Sequence, residues 1–158
     1  MSSTLPADAQ PVNVHAAAAE RLRRDSQRYT TSRQALVEVL READHPLTIP
    51  ELLARRSGIP QSSAYRNLAV LERAGVVDRV MATDEFARYE LAEHLTEHHH
   101  HHLICSGCGA VTDFVVDPEI EVRLDQAVDS VAAETGFRID GHRFDLIGTC
   151  RSCVAAGH

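Results

Sequence analysis

The chain has 158 residues, 44% of them hydrophobic and 25% charged, which excludes disorder throughout and allows one domain or two small ones. Sixteen basic against 23 acidic residues give a net charge of -7, so a uniformly basic nucleic-acid coat is excluded. The mean hides a gradient: residues 21–79 hold 11 Arg and seven acids, whereas residues 94–158 hold four Arg and ten acids. The first segment suits phosphates and the second suits cations.

Residues 1–15, with two Pro and no apolar period, read as a mobile arm. Residues 16–24 are Ala- and Arg-rich and read as a helix. Residues 32–42 place Ala35, Leu36, Val39 and Leu40 on one stripe of a second helix, with Thr31 or Ser32 as its cap. His45-Pro46 breaks the chain, and Thr48 caps a short helix over residues 50–56. Ser57-Gly58-Ile59-Pro60 then leads into a helix over residues 61–74 that Gly75 closes, the outline of a helix-turn-helix. In that helix Ala64, Leu68 and Leu71 share one face, while Ser62, Tyr65, Arg66, Ala69 and Arg73 share another that is free to read a groove. Residues 76–80 and 87–91 alternate as two strands about a turn at Thr83-Asp84-Glu85, a β wing.

Beyond residue 93 the composition changes. Residues 94–97 read as a short helix and residues 98–114 as extended. Asp117-Pro118 opens a helix with Ile120, Leu124, Val128 and Val131 at helical spacing, which Gly136 ends. Residues 137–149 alternate like a strand pair turning near Asp140-Gly141. The fold class is therefore α+β: an arm over 1–15, a winged helix-turn-helix domain over 16–92 and a small α/β domain over 93–158. The second domain is too small to bury much apolar surface and needs metal, a partner subunit or both.

Two CxxC pairs, Cys105 with Cys108 and Cys150 with Cys153, supply four thiolates, the closed tetrahedral shell of a structural Zn2+. Gly107 and Gly109 let the first turn form. His98 to His102 is a run of five histidines. Along a strand such a run sends His99 and His101 to one face and His100 and His102 to the other, so one run serves two metal sites. Each pair needs further ligands, for which His45, Asp78, Glu90, Glu93, His94, Glu119, Glu121 and His142 are candidates. His94-Leu95-Thr96-Glu97-His98 also fits H-x-x-E-H, the inverted zinc-peptidase motif, which is the enzyme alternative. It lacks a long helix, a cleft and a third ligand.

Residues 63–68 (SAYRNL), 99–109 (HHHHLICSGCG), His142 and 148–153 (GTCRSC) together resemble the ferric uptake regulator family of metal-sensing, dimeric bacterial repressors. The resemblance runs from about Arg28 to Cys153. It implies a winged-helix domain hinged to a dimerisation domain, with metal closing the two into a DNA-binding shape. It implies that Tyr65 and Arg66, with Ser62 beside them, face DNA, and that Arg28 enters a minor groove. The partners are then a second copy of the chain and a palindromic operator in double-stranded DNA.

The same resemblance divides the histidines as the alternation does. It assigns the hinge sensor site His100 and His102, with His45 and Glu90 in the iron pattern, or Asp78 and His94 in the zinc branch, where His94 stands in place of a cysteine. The second site takes His99, His101, His142 and Glu121. A glutamate at position 90, where peroxide sensors carry aspartate, points to reversible metal occupancy. Asp78 and the Gly148-Thr149-Cys150 ending favour regulatory Zn2+, with Fe2+ the alternative and Mn2+ a further candidate. No run approaches the roughly 18 apolar residues of a membrane span. The first 15 residues lack the pattern of a signal peptide, so a cytoplasmic protein with no membrane partner is expected.

Overall fold

The computed structural model describes residues 13–96 and 99–157. Most of the expected arm lies outside them, but its last residues are helical. Asn13 accepts a hydrogen bond from the Ala16 N–H and starts α1 at Val14, so α1 spans Val14–Arg24. His15 thereby joins the fold: its Nδ1 lies 2.6 Å from the Tyr29 hydroxyl and its Nε2 2.8 Å from Glu38 Oε2. Helix α2 (Thr31–Arg41) is capped by Thr30, one residue before the expected cap, because extended backbone there aims Oγ1 at the Arg33 N–H. Thr48 and Glu51 form a reciprocal capping box on α3 (Ile49–Arg55). Helix α4 (Gln61–Arg73) ends before Gly75, whose φ of +67° turns the chain into the wing.

Strands β1 (Leu47–Thr48), β2 (Val77–Met81) and β3 (Ala87–Leu91) form an antiparallel sheet in the order β1-β3-β2. Strand β1 was not foreseen, since two residues carry no alternation to read. Leu22, Leu36, Val37, Leu47, Leu52, Ala64, Leu68, Leu71 and Val76 are fully enclosed between α1–α4 and this sheet. The stripe read on α4 is therefore the packed face, and Tyr65 on the opposite side is 53% exposed.

A short helix α5 (Glu93–Thr96) leads to a second sheet of β4 (His101–Cys105), β5 (Val111–Phe114) and β6 (Asp145–Gly148), in the order β5-β4-β6. Strand β5 pairs antiparallel to β4, and β6 parallel. Helix α6 (Pro118–Thr135) is capped by Asp117 and closed by Gly136, and α7 (Arg151–Ala156) follows β6. Residues 137–144 form no strand, contrary to the expected pair, because the chain turns inward there to pack His142 and Phe144 against the His101 ring. Helix α6 buries none of its residues, and the apolar cluster on this side is only Ile104 and Val111 with Val80 from the wing. The second half thus lacks a core of its own, as its length predicts. Among the described residues no helix is long and apolar enough to cross a membrane.

Candidate functional site

Among the described residues three groups of potential ligands assemble, two within the second half and one joining it to the wing, each with its ligand atoms within 4.8 Å of one another. The first is Cys105, Cys108, Cys150 and Cys153. Their sulfurs are unlinked by disulfides, and Cys108 Sγ lies 3.8 Å from Cys150 Sγ. That separation matches the edge of about 3.8 Å of a tetrahedron with 2.3 Å metal–sulfur bonds. The turn after β4 brings the first pair into place: the Gly109 N–H donates to the Cys105 carbonyl at 3.0 Å. Backbone N–H groups of Cys150 and Cys108 lower the Cys105 thiol to about 6, while the Cys153 thiol, donating to the Cys150 and Cys108 sulfurs, is pushed up to about 12. Four thiolates this close repel one another unless a cation sits among them.

The wing meets this knuckle. Gly109 has φ +72°, and a Cβ there would lie 2.1 Å from Asp84 Oδ2. Asp84 is held by two 2.8 Å hydrogen bonds from Arg88, and the Thr83 hydroxyl donates to the Cys105 carbonyl at 3.0 Å.

The second group is His99, His101, Glu121 and His142, the four residues expected together. His101 is on β4, Glu121 is in the first turn of α6 and His142 is on the inward bend before β6. His101 Nε2 lies 3.1 Å from Glu121 Oε2. Nε2 of His99 and of His142 lie 2.7 and 3.1 Å from Glu121 Oε1, yet neither buried nitrogen has a hydrogen-bond partner among the described residues. Three imidazole nitrogens converging on one carboxylate, two of them buried without a hydrogen-bond partner among the described residues, form the donor set a cation site requires, so the residues fit a metal. Burial opposes ionisation of Glu121, but His101, His99 and His142 outweigh it and lower its carboxyl. Glu93 on α5 contacts His99 Nδ1, the ring nitrogen on the far side.

The third group is Glu90, His100, His102 and Asp113. Its histidines are the other alternating pair, as expected. Glu90 Oε2 is 3.0 Å from His100 Nε2, and Glu90 Oε1 is 3.1 Å from His102 Nε2. Burial raises the Glu90 carboxyl, but hydrogen bonds from the two histidines prevail and hold it at about 2. His102 moves the opposite way: burial lowers it, and Glu90 and Asp145 raise it by more. Asp113 is raised by burial, and its Oδ1 is buried without a hydrogen-bond partner among the described residues. A cation would satisfy it, so this group also fits a metal.

Asp113 was not anticipated. The signal was available: β4 and β5 close about the cysteine turn with Ile104 opposite Val111, and counting outward sets His102 opposite Asp113. Three expected sensor residues fall outside the group. His45 lines a cavity of about 850 Å3 with Glu90, His100 and Asp113, but its Nδ1 is 2.6 Å from Asp44. Asp78 is opposite Glu90 in the wing and lines a separate cavity of about 360 Å3 with Glu90, His100 and His102, yet its side chain is exposed. His94 is exposed on α5, where its partial burial and nearby Arg21 lower its pKa. From the helical half only Glu90 joins β4 and β5 in the group; His45, Asp78 and His94 are not among the ligand atoms that lie within 4.8 Å of one another. Glu97 and His98 of the H-x-x-E-H motif lie outside the described residues, and the helix that carries His94 is four residues long.

Ser62, Tyr65 and Arg66 are all exposed on α4. Arg28 is exposed between α1 and α2, and its carbonyl accepts from Arg33, whose Nε donates to Asn67 Oδ1 on α4 at 3.1 Å. The Arg28 segment is thereby tied to the helix that carries Tyr65 and Arg66.

The model of the ferric uptake regulator family matches residues 24–147. The ferric uptake regulation protein of Bacillus subtilis is 31% identical over 139 residues, covering 85% of this chain and 90% of its own. Among solved structures, the Vibrio cholerae ferric uptake regulator superposes with a TM-score of 0.63 at 30% identity, covering 83% of this chain and 98% of that one. The Helicobacter pylori ferric uptake regulator shares the fold with a TM-score of 0.68 at 24% identity, covering 92% and 97%. With the family's residues assembled as three ligand groups beside a winged helix, the chain belongs to the ferric uptake regulator family, whose members are transcription regulators and not enzymes.

Proposed function

We propose that this protein is a homodimeric repressor that binds DNA when a regulatory metal is present and releases it when the metal is lost. One observation carries the reading: Glu90, on the last strand of the wing, shares a ligand group with His100, His102 and Asp113 of the second sheet. A cation held there links the DNA-binding half, residues 16–92, to the dimerisation half, residues 93–158, and favours one arrangement of the two. His45, across the adjoining cavity from His100, is the residue that closure would bring in. The Vibrio cholerae ferric uptake regulator, whose crystal structure reveals a rearrangement of its DNA-binding domains, supports a DNA-binding half that can change its arrangement.

Cys105, Cys108, Cys150 and Cys153 hold a structural Zn2+, since a closed four-thiolate shell leaves no position for chemistry. His99, His101, Glu121 and His142 hold a second ion. Of the two features that favour zinc at the regulatory site, Asp78 and the Gly148-Thr149-Cys150 ending, Asp78 stands outside the ligand group. Glu90, His100 and His102 of the iron pattern do come together, with His45 across the adjoining cavity, so Fe2+ is our first assignment. Zn2+ is the second, favoured by Asp78 lining the cavity beside Glu90, His100 and His102. Ile120, Val122 and Val131 on α6 and Ile147 on β6 are 49–69% exposed, which supports a second copy covering this side. Twofold symmetry of such a dimer leads to a palindromic operator, contacted by Arg28, Ser62, Tyr65 and Arg66.

The test selects bound DNA from a random pool with dimer whose cysteine sites are zinc-loaded, then titrates Fe2+, Zn2+ and Mn2+ anaerobically. A palindromic site bound only with metal is expected, with His100→Ala remaining dimeric but unresponsive. Equal binding in chelator would overturn the repressor mechanism, and activation at lower free Zn2+ than free Fe2+ would overturn the choice of iron.

A further inference from the structure

Resting on the regulatory-metal reading above, the geometry points to Asp145 as a positioning residue for that site: it holds the His102 ring so that Nε2 faces the ligand group. The second sheet sets a row of three side chains. Strand β4 lies between β5 and β6, and His102 is the register partner of Asp113 on one side and of Asp145 on the other. Register partners share a sheet face, so the row needs no side-chain rearrangement to form.

The two ring nitrogens of His102 have separate duties. Nε2 faces Glu90 Oε1 at 3.1 Å and Asp113 Oδ1 at 3.9 Å, both in the ligand group. Nδ1 faces Asp145 Oδ1 at 3.2 Å, and Asp145 is not in that group. A carboxylate accepts only, so Asp145 holds a proton on Nδ1, and a cation entering the group takes Nε2 in place of its contact with Glu90. A ligand histidine whose other nitrogen donates to a carboxylate is fixed in orientation and made more basic.

Asp145 is itself fixed. Its second oxygen is 3.4 Å from Arg143 Nη2, which leaves Oδ1 for His102. At the far end of β6 the Gly148 carbonyl accepts from the Ser106 N–H at 2.7 Å and from its hydroxyl at 3.0 Å, two residues before Cys150. The cysteine knuckle thereby pins the register that sets Asp145 beside His102.

The experiment follows the histidine 15N resonances in dimer with only its cysteine sites zinc-loaded, then titrates Zn2+ and reads His100 and His102, which separates this site from the His99 group. Before Zn2+ is added, Nδ1 of wild-type His102 should carry a proton. Asp145→Ala should shift the tautomer toward proton on Nε2 alone and raise the free Zn2+ needed at His102 about 10- to 100-fold. Cysteine-bound zinc and the dimer should be unchanged, and Asp145→Glu should restore both readouts. An unaltered tautomer and titration in Asp145→Ala would overturn the assignment. So would weakened binding with the tautomer unchanged, which is a purely structural effect. If His100 and His102 of the wild type fail to respond to Zn2+ or to Fe2+, the regulatory-metal reading itself falls.

Discussion

Gly109→Ala perturbs the place where the wing touches the cysteine knuckle, and its cost can be worked from the structure. The residue has φ +72°, which costs an L side chain about 1–2 kcal/mol. The new Cβ would fall 2.1 Å from Asp84 Oδ2, 2.3 Å from Cγ and 2.8 Å from Cβ, so the whole Asp84 side chain must move. Moving it breaks the paired 2.8 Å hydrogen bonds to Arg88, which is only 7% exposed. Hydrogen bonds to a charged group contribute about 1.5–3 kcal/mol. The sum is roughly 3–5 kcal/mol, a fall in Tm of about 6–20 °C for a chain of this size. Calorimetry of zinc-loaded dimer measures it, and a double-mutant cycle with Asp84→Ala isolates the cause. In the Asp84→Ala background only the 2.8 Å approach of the two Cβ atoms remains, so adding Gly109→Ala should cost less than in the wild type and approach the φ penalty of about 1–2 kcal/mol. Strict additivity, or a Tm change under about 2 °C in the single variant, would show that the contact between wing and knuckle does not exist in solution.

Cys150→Ser should lose the tightly held zinc, and with it the dimer, because the second half has no core to fold on alone; full retention of a folded dimer without zinc, measured by metal analysis and sedimentation, would refute the structural assignment. Arg66→Ala should weaken DNA binding and flatten its salt dependence while metal affinity stays at the wild-type value, since the side chain is exposed on the face of α4 opposite the core; an isotherm altered in metal and not in DNA would misplace the reading helix. Hydrogen bonds from Arg41 and His15 lower the Glu38 carboxyl from its ordinary 4.5 to about 2. A depressed carboxylate contributes stability that is full above pH 4.5 and lost as pH falls toward 2, so Glu38→Gln should flatten the Tm profile in that window, and an unchanged slope would show that His15 and Arg41 do not clamp Glu38 in solution.

Local signals carried much of this protein. Helices α2, α3 and α4 follow from apolar spacing and caps because an amphipathic stripe records its own period in adjacent residues. The division of His99 and His101 from His100 and His102 follows from the twofold alternation of a strand, and the four cysteines announce their ion by residue type. Completing each site depended on which strands pair and in what register. Asp113 reaches His102 through the β4–β5 hairpin, and Asp145 through a parallel pairing across 43 residues. His45, Asp78 and His94 looked equally eligible in the sequence, where one acid or imidazole reads like another. The tertiary structure left them outside, because the ligand atoms of a group lie within a few ångströms of one another and chain order sets no such distance. The same limit applies to residues 137–144, whose alternation predicts a strand while their packing on His101 bends them into the site.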